Sequence, residues 1–367
     1  MTYFTARRVA RSAMVLAAST AISTAAMAGG HGVDLSGETV EFVIPFSESG
    51  GSARWANFYA PLLNEALTGN PTVVVRYRPG AGSTEGANWF QQQTTDDGTL
   101  VFGTSGSTQF PYLLGDQRVR YEYQDWQPVL ASGTGGVVYL PPELGARFDG
   151  DFDDLQDEIF LYGSQGATTL DLVPLLAFEM LGLDVDAVFG IEGRGDGRLM
   201  FERGEANIDY QTSAAYIQSV QPLVDQGLAV PAFTYGSLDA DGNIVRDPTF
   251  PDLPSFREVC EATAGCETEG LAWDAWKAFF ISGFAAQKMV YLPGSASADV
   301  VATYTNAFEA IIARPDFAEL AAAELGVYPQ LTGEAARIAS DQATNVTPEA
   351  REFVLNWLLE AYGISLN

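Results

Sequence analysis

Hydroxyl side chains and glycines gather three times in this chain between an apolar run and an amphipathic one. The three loops are Ser47-Glu48-Ser49-Gly50-Gly51-Ser52, Thr104-Ser105-Gly106-Ser107-Thr108 and Gly163-Ser164-Gln165-Gly166-Ala167-Thr168-Thr169. Such residues do no acid–base work by themselves. They donate hydrogen bonds and let backbone approach closely, and where a loop opens a helix the free N–H groups and the positive dipole end converge on one spot. The chemistry this pattern supports is the holding of an anion. An ordinary strand-to-helix turn has the same composition, so one such loop leaves both readings open; three of one kind weigh more. Arg194, in Gly193–Arg198, is either a carboxylate clamp or a solvated loop arginine.

The elements that must carry these loops follow from periodicity. Val40, Phe42 and Ile44 mark a strand ended by Pro45, and a helix is expected from about Ala53 to Leu67, with Trp55, Tyr59 and Leu63 among its apolar positions. Thr72–Tyr77 reads as a second strand, followed by the turn Arg78–Ser83 and a helix from about Thr84 to Gln93. Thr99–Gly103 is a third strand. Three strand–helix units in a row predict a parallel, doubly wound sheet with its ligand site beyond the C-terminal strand ends, where these loops lie. A new unit starts at Ile159–Tyr162, with a helix from about Leu170 to Leu181. Val185–Phe189 and Asn207–Tyr210 are further strands, the latter carrying Asp209 at its end, and Ser213–Val224 is helical. The stretch from Pro128 to Val138 reads as a crossing between domains and Ala229–Tyr235 as the return. Ala278–Phe284 is a strand candidate, and Ser297–Ile312, Pro315–Leu325 and Pro348–Ala361 are amphipathic helices expected to cover the first domain.

Catalytic machinery is not apparent. The one histidine, His31, lies near the N-terminus and no G-x-S-x-G elbow occurs, so a Ser-His-acid triad is not available. No metal-ligand cluster stands out, and no cofactor is implied. Asp239–Asn243 begins like a calcium loop, but Phe250 stands where the twelfth-position acid belongs, so a surface turn is expected. Cys260 and Cys266, the only cysteines, read as a local disulfide formed in an oxidising compartment.

Arg7, Arg8 and Arg11, the apolar Met14–Met27 run and Ala26-Met27-Ala28 form an export signal cleaved after Ala28, which predicts a periplasmic protein. Beyond it, 16 basic against 47 acidic residues leave a net charge of −31. Nucleic acid is therefore not an expected partner. An anionic ligand would meet an adverse long-range field, so any anion site must rest on local donors.

Taken in order, VEFVIPFSESGGS, YRPGAGSTEGA, DDGTLVFGTSGS, DWQPVLAS, LYGSQGATT and DPTFPDLPSFREV resemble the successive motifs of the periplasmic solute-binding proteins of tripartite tricarboxylate transporters, the TctC/Bug family. The resemblance runs from about Thr39 to Ile364. It implies an α/β fold of two lobes, the type II periplasmic-binding (Venus flytrap) architecture. Its expected layout is a signal peptide over 1–28, the first part of lobe 1 over 37–132, lobe 2 over 133–231, and the rest of lobe 1 with the C-terminal helices over 232–367. It implies a non-enzymatic, monomeric receptor that holds a small organic acid between its lobes and delivers it to membrane permease subunits. Carried over, the first-lobe site residues are Ser47, Ser49, Gly50, Gly51, Ser52, Ser105 and Ser107. The second-lobe ones are Ser164, Gln165, Ala167, Thr168 and Thr169, with Asp209 where the family has an acid at a strand end.

The chain departs from the family in the first loop, where Ser47-Glu48-Ser49 replaces a Pro-Pro pair, and around Phe189–Arg194. Glu48 is thus a site candidate or a solvated loop acid that helps to cap the helix. A sensor role, with a signal passed to a membrane protein other than a permease, is the alternative that the sequence does not separate. An α/β hydrolase is the third reading, opposed by the absence of a triad.

Overall fold

The computed structural model describes Met1, residues 32–239 and residues 242–366. The expected signal segment and its cleavage site lie outside the described residues, as do Ala240 and Asp241 of the Asp239–Asn243 turn. The chain divides into two units, Met1–His31 and Gly32–Asn367, and the second contains both lobes.

Lobe 1 is built on a six-stranded sheet. Its strands are β1 (Thr39–Ile44), β2 (Thr72–Tyr77), β3 (Leu100–Gly103), β4 (Gln127–Ser132), and, much later in the chain, Lys288–Leu292 and Gln330–Thr332. The first three pair in parallel, as three strand–helix units require. The Lys288–Leu292 strand is antiparallel to both β3 and β4 and lies between them, so the whole sheet is mixed. Val40, Phe42, Val43 and Ile44 are all buried, the near-continuous apolar run of a strand covered on both faces. Helix Gly51–Ala66 packs Trp55, Tyr59 and Leu63 onto this sheet, one residue per turn. The Trp55 ring sits edge-on to Phe42 at 5.6 Å, and its Nε1 donates to Ser132 Oγ at 3.1 Å. That anchor sets where the helix begins, and so where the Ser47–Ser52 loop must lie.

Lobe 2 joins two smaller sheets. β5 (Gly136–Leu140) is flanked by antiparallel β8 (Asp209–Thr212) and β9 (Val230–Thr234), while β6 (Ile159–Ser164) pairs in parallel with β7 (Asp184–Phe189). Asn207 ties them together. Its backbone N–H donates to Leu161 O at 3.1 Å, and its side-chain oxygen accepts from Leu161 N at 2.6 Å. After β9, β10 (Ser237–Leu238) and β11 (Ile244–Val245) form a short antiparallel hairpin around the expected surface turn. The two remaining lobe 1 strands are then β12 (Lys288–Leu292) and β13 (Gln330–Thr332).

Two parts of the chain differ from the sequence reading. The expected strand Ala278–Phe284 is the end of a helix, Gly270–Phe280, continued by a wider helical turn over Ile281–Ala285. A short apolar run fits a strand or a buried helix equally, and here Trp273, Trp276 and Phe280 stack along one helix side, with Trp276 and Phe280 5.2 Å apart. The C-terminal helix, Pro348–Tyr362, buries Val354 and Leu358 in the core that also holds Trp276, Leu172 and Phe160, on the lobe 2 side. Helices Ala298–Ile312 and Phe317–Glu324 cover the lobe 1 sheet. The Cys260–Cys266 disulfide is formed.

Candidate functional site

The loops after β1 and β3 in lobe 1 face those after β6, β7 and β8 in lobe 2. Between them lies a cavity of about 30 Å³. Gly50, Gly51, Ser52, Ser105 and Ser107 line it from lobe 1, and Gln165, Gly193, Arg194 and Thr212 from lobe 2. A second cavity, of about 350 Å³, adjoins it and shares Gln165. Its walls include Gly80, Gly82, Arg118, Thr168 and Thr169.

Helix Gly51–Ala66 begins on the cavity wall. Gly50 holds its N-terminal position with no side-chain cap, so the first-turn N–H groups have no acceptor within the helix. Helix Gly106–Leu114 starts alongside, but Ser105 and Thr108 cap it reciprocally. Of the two, the first keeps more donors for a ligand.

The lobes meet closely around the cavity. A Cβ on Gly51 would overlap Thr212 Oγ1, and one on Gly195 would lie 2.6 Å from the Ser49 carbonyl oxygen. Hydrogen bonds also cross. Leu170 N donates to Ser107 Oγ at 3.1 Å, the Arg54 guanidinium donates to Gln218 Oε1 and Ser219 Oγ, and Ser213 and Tyr328 share a hydroxyl bond of 2.6 Å.

Arg194 is 7% exposed, so it is not a solvated loop residue. Its guanidinium donates to Asp209 Oδ1, to Asp171 Oδ2 at 3.3 Å and to the Gly163 carbonyl at 2.5 Å. It lies over the rings of Tyr162 and Tyr210, 4.9 and 4.8 Å from their centroids. Burial by itself would favour the neutral form, but the two carboxylates outweigh it and hold the group well above the ordinary arginine value. Asp209 also accepts from Tyr139 and from Gln211 Nε2.

Asp171 organises the lobe 2 loop. It accepts from Ser164 Oγ at 2.9 Å, from Gln165 N at 2.7 Å and from Tyr210 Oη at 3.2 Å. Ser164 Oγ in turn accepts from Gly166 N, and Thr169 Oγ1 donates to Gly166 O. Thr168 Oγ1 accepts from Arg118 at 3.3 Å. Ala167 is buried in the lobe 2 core.

The mixed sheet adds a wall that no glycine-rich loop marks. Because β12 runs antiparallel to β3, its first residue, Lys288, lies at the same edge as the C-terminal end of β3. Gln287 and Lys288 line the cavity, 2% and 4% exposed. Lys288 Nζ donates to Ser52 Oγ at 3.2 Å, and burial lowers its pKa to about 7. Gln287 Oε1 is buried without a hydrogen-bond partner.

No family model and no curated protein sequence matches the chain. Solved structures do. The periplasmic binding protein BugD superposes with a TM-score of 0.64 at 19% identity, covering 89% of this chain and 98% of that one. MatC from Rhodopseudomonas palustris with bound malate gives 0.62 at 16% identity, covering 86% and 98%. Rpa4515 of the same organism with adipate gives 0.62 at 15% identity, covering 89% and 98%.

The chain has the two-lobed fold of the TctC/Bug periplasmic binding proteins. In this binding-protein fold the loops expected to form the site do converge, but unequally. Ser47, Gly50, Gly51, Ser52, Ser105, Ser107, Gln165 and Arg194 line the inner cavity, whereas Thr168 and Thr169 line the outer one and not the inner. Glu48 is exposed and Ser49 half-buried, and neither lines the inner or the outer cavity. Ser164, Ala167 and Asp209 lie behind the surface, buried. Sequence reasoning missed Gln287, Lys288 and Asp171. Among the described residues, no helix is long and apolar enough to cross a membrane, and no cluster of His, Cys, Asp and Glu could hold a metal ion.

Proposed function

We propose that this chain is an exported periplasmic receptor that captures a small organic acid between its lobes and delivers it to a membrane permease of the tripartite tricarboxylate type. One observation carries the reading. The chain has 47 acidic and 19 basic residues, yet no acid lines the inner cavity, and of the two cations on its walls Lys288 has no carboxylate partner while Arg194 is paired with Asp171 and Asp209 behind the wall. A cleft set against the charge of its own protein is matched to an anion. The uncapped start of helix Gly51–Ala66 adds N–H donors of the right polarity. The structures superposed with malate and adipate bound support the acid as the ligand class.

The inner cavity, about 30 Å³, holds no more than a water or two, since each needs roughly 10–15 Å³. An organic acid therefore enters with the lobes parted. It bridges the Ser47–Ser52 and Ser105–Ser107 loops to Gln165 and its neighbours, and so shifts the lobes toward the closed form that the permease recognises.

The test is a thermal-shift screen of protein that has been unfolded and refolded to strip carried ligand, against mono-, di- and tricarboxylic acids. A binder at 100 times its Kd stabilises by about 2.7 kcal/mol, a visible shift. A carboxylate hit is the expected result. Shifts only with sugars or amines, or none with any acid, would overturn the organic-acid reading.

A further inference from the structure

The two cavity cations have opposite surroundings. Arg194 already donates to two carboxylates and a carbonyl. Lys288 donates to a serine, and among the described residues no carboxylate lies within ion-pair distance of it. Beside it, the buried Gln287 amide oxygen lacks a partner. A buried ammonium without a counter-ion and an unsatisfied amide on one cavity wall are two independent gaps, and one ligand end group would fill both. Resting on the organic-acid reading above, we propose that Lys288 and Gln287 form the lobe 1 subsite for a 2-hydroxy acid, the carboxylate pairing with Lys288 and the adjacent hydroxyl donating to Gln287.

The charge of the wall selects against the amino analogue. A 2-amino acid would bring an ammonium beside Lys288, the one uncompensated cation of a cavity that no acid lines. A hydroxyl makes the same hydrogen bond without that repulsion.

Protonation is set by the same geometry. The titratable groups around Lys288 are few. Helix Gly51–Ala66 presents Ser52, and its Arg54 turns to Gln218 and Ser219. The β3 loop presents Ser105 and Ser107. β4 presents Ser132, with Tyr59 behind it kept neutral by burial. Lobe 2 presents Arg194, backed by Asp171 and Asp209. With burial lowering the Lys288 pKa to about 7, a fraction of the protein holds it neutral at neutral pH. An arriving carboxylate favours the ammonium, so binding takes up a proton and affinity falls as pH rises above 7.

The experiment is calorimetric titration of the intact protein and its K288M variant with malate, succinate and aspartate, which differ only in the substituent beside one carboxylate, from pH 6 to 9. Buffers of different ionisation heat report the proton. For the wild type the expected order is malate first, succinate at least tenfold weaker and aspartate weakest, with malate affinity dropping about tenfold per pH unit above 7. K288M should lose at least thirtyfold at pH 6.5, show a flat pH profile, and melt at or above the wild-type temperature, which separates a lost subsite from a lost fold. Unchanged malate affinity or an unchanged pH profile in K288M overturns the role of Lys288 while leaving the organic-acid reading standing. Aspartate or succinate binding as tightly as malate, or no binding of the three, overturns the 2-hydroxy-acid class. If the refolded wild type also binds no other carboxylic acid, the receptor reading fails and this proposal falls with it.

Discussion

The two walls of the inner cavity handle buried positive charge in opposite ways. On the lobe 2 wall, Arg194 sits between two tyrosine rings and donates to Asp171, Asp209 and a carbonyl. On the lobe 1 wall, Lys288 has a serine hydroxyl and a neighbouring amide that lacks a partner. A compensated charge holds its own lobe together. An uncompensated one costs stability and is kept only where something else uses it. The arginine, prominent in its glycine-rich loop, thus belongs to the architecture that positions the site, and the inconspicuous lysine is the group left with electrostatic work to do.

Loss of Arg194 should do the most damage. In R194M, the buried carboxylates of Asp171 and Asp209 lose their cation, and breaking a buried pair in this way costs about 3–5 kcal/mol. A large fall in the midpoint of urea unfolding is expected, and R194K should recover part of it, since a lysine restores the charge but not the fork. An R194M protein of wild-type stability would move Arg194 out of the architecture and return it to the role of a ligand clamp.

The matched change at Lys288 should act with the opposite sign. Its pKa is lowered by burial from 10.5 to about 7 in the folded protein. Between those values the unfolded chain binds more protons than the folded one, so this group's contribution makes stability rise with pH from 7 to 10.5. Below pH 7 both states carry the proton and the full desolvation cost remains. K288M should therefore be more stable than the wild type by about 2–4 kcal/mol at neutral pH, and the gap should close as pH approaches 10. A K288M variant less stable than the wild type at pH 7 would mean that Lys288 is compensated after all.

Between these walls the fit depends on glycine. A methyl on Gly51 would overlap Thr212 Oγ1, and both residues lie on the cavity. G51A should hold the lobes slightly apart, with an overpacking cost of about 1–3 kcal/mol that falls on the closed state. The expected outcome is ligand affinity down by at least tenfold, a larger radius of gyration by small-angle scattering, and a melting temperature near that of the wild type. A compact G51A protein with unchanged affinity would show that the lobes need not approach this closely to bind.

Much of the frame was legible in the sequence, for reasons that particular residues make plain. The β1–loop–helix unit could be read because Val40, Phe42 and Ile44 change to the helical spacing of Trp55, Tyr59 and Leu63 across a serine and glycine loop. Three such units also predicted which strand ends would meet. Lys288 was not legible because its place depends on topology. It opens a strand that inserts antiparallel between β3 and β4, and no local pattern announces where a returning strand will begin. The reading of Ala278–Phe284 as a strand hid it further, since that run is helical up to the residues just before Gln287. Asp171 was missed for a different reason. A single acid after a hydroxyl loop looks like a helix-start residue, and only the fold brings Ser164, Tyr210 and Arg194 around it.

The smallest expected effect separates the two hydroxyls of the lobe 2 loop. From sequence, Ser164 and Thr168 are equivalent ligand donors, and their joint replacement by alanine should weaken binding without moving the melting temperature. The structure distinguishes them. Ser164 is fully buried, donates to Asp171 at 2.9 Å and accepts from Gly166 N at 3.1 Å, so both functions of its hydroxyl are met inside the lobe. S164A strips a charge-assisted bond from the buried Asp171 and the acceptor of the half-buried Gly166 N–H, a cost of about 1–3 kcal/mol that appears in stability. Thr168 is on the outer cavity, held by a 3.3 Å bond from Arg118, whose main partner is Asp116. T168A should change stability by less than about 0.5 kcal/mol. Any loss of affinity in T168A should scale with ligand length, because only an acid long enough to pass Gln165 reaches the outer cavity. Equal losses for two- and six-carbon acids in T168A would place the outer cavity outside the path of the ligand, and a stable, non-binding S164A would restore Ser164 to the inner one.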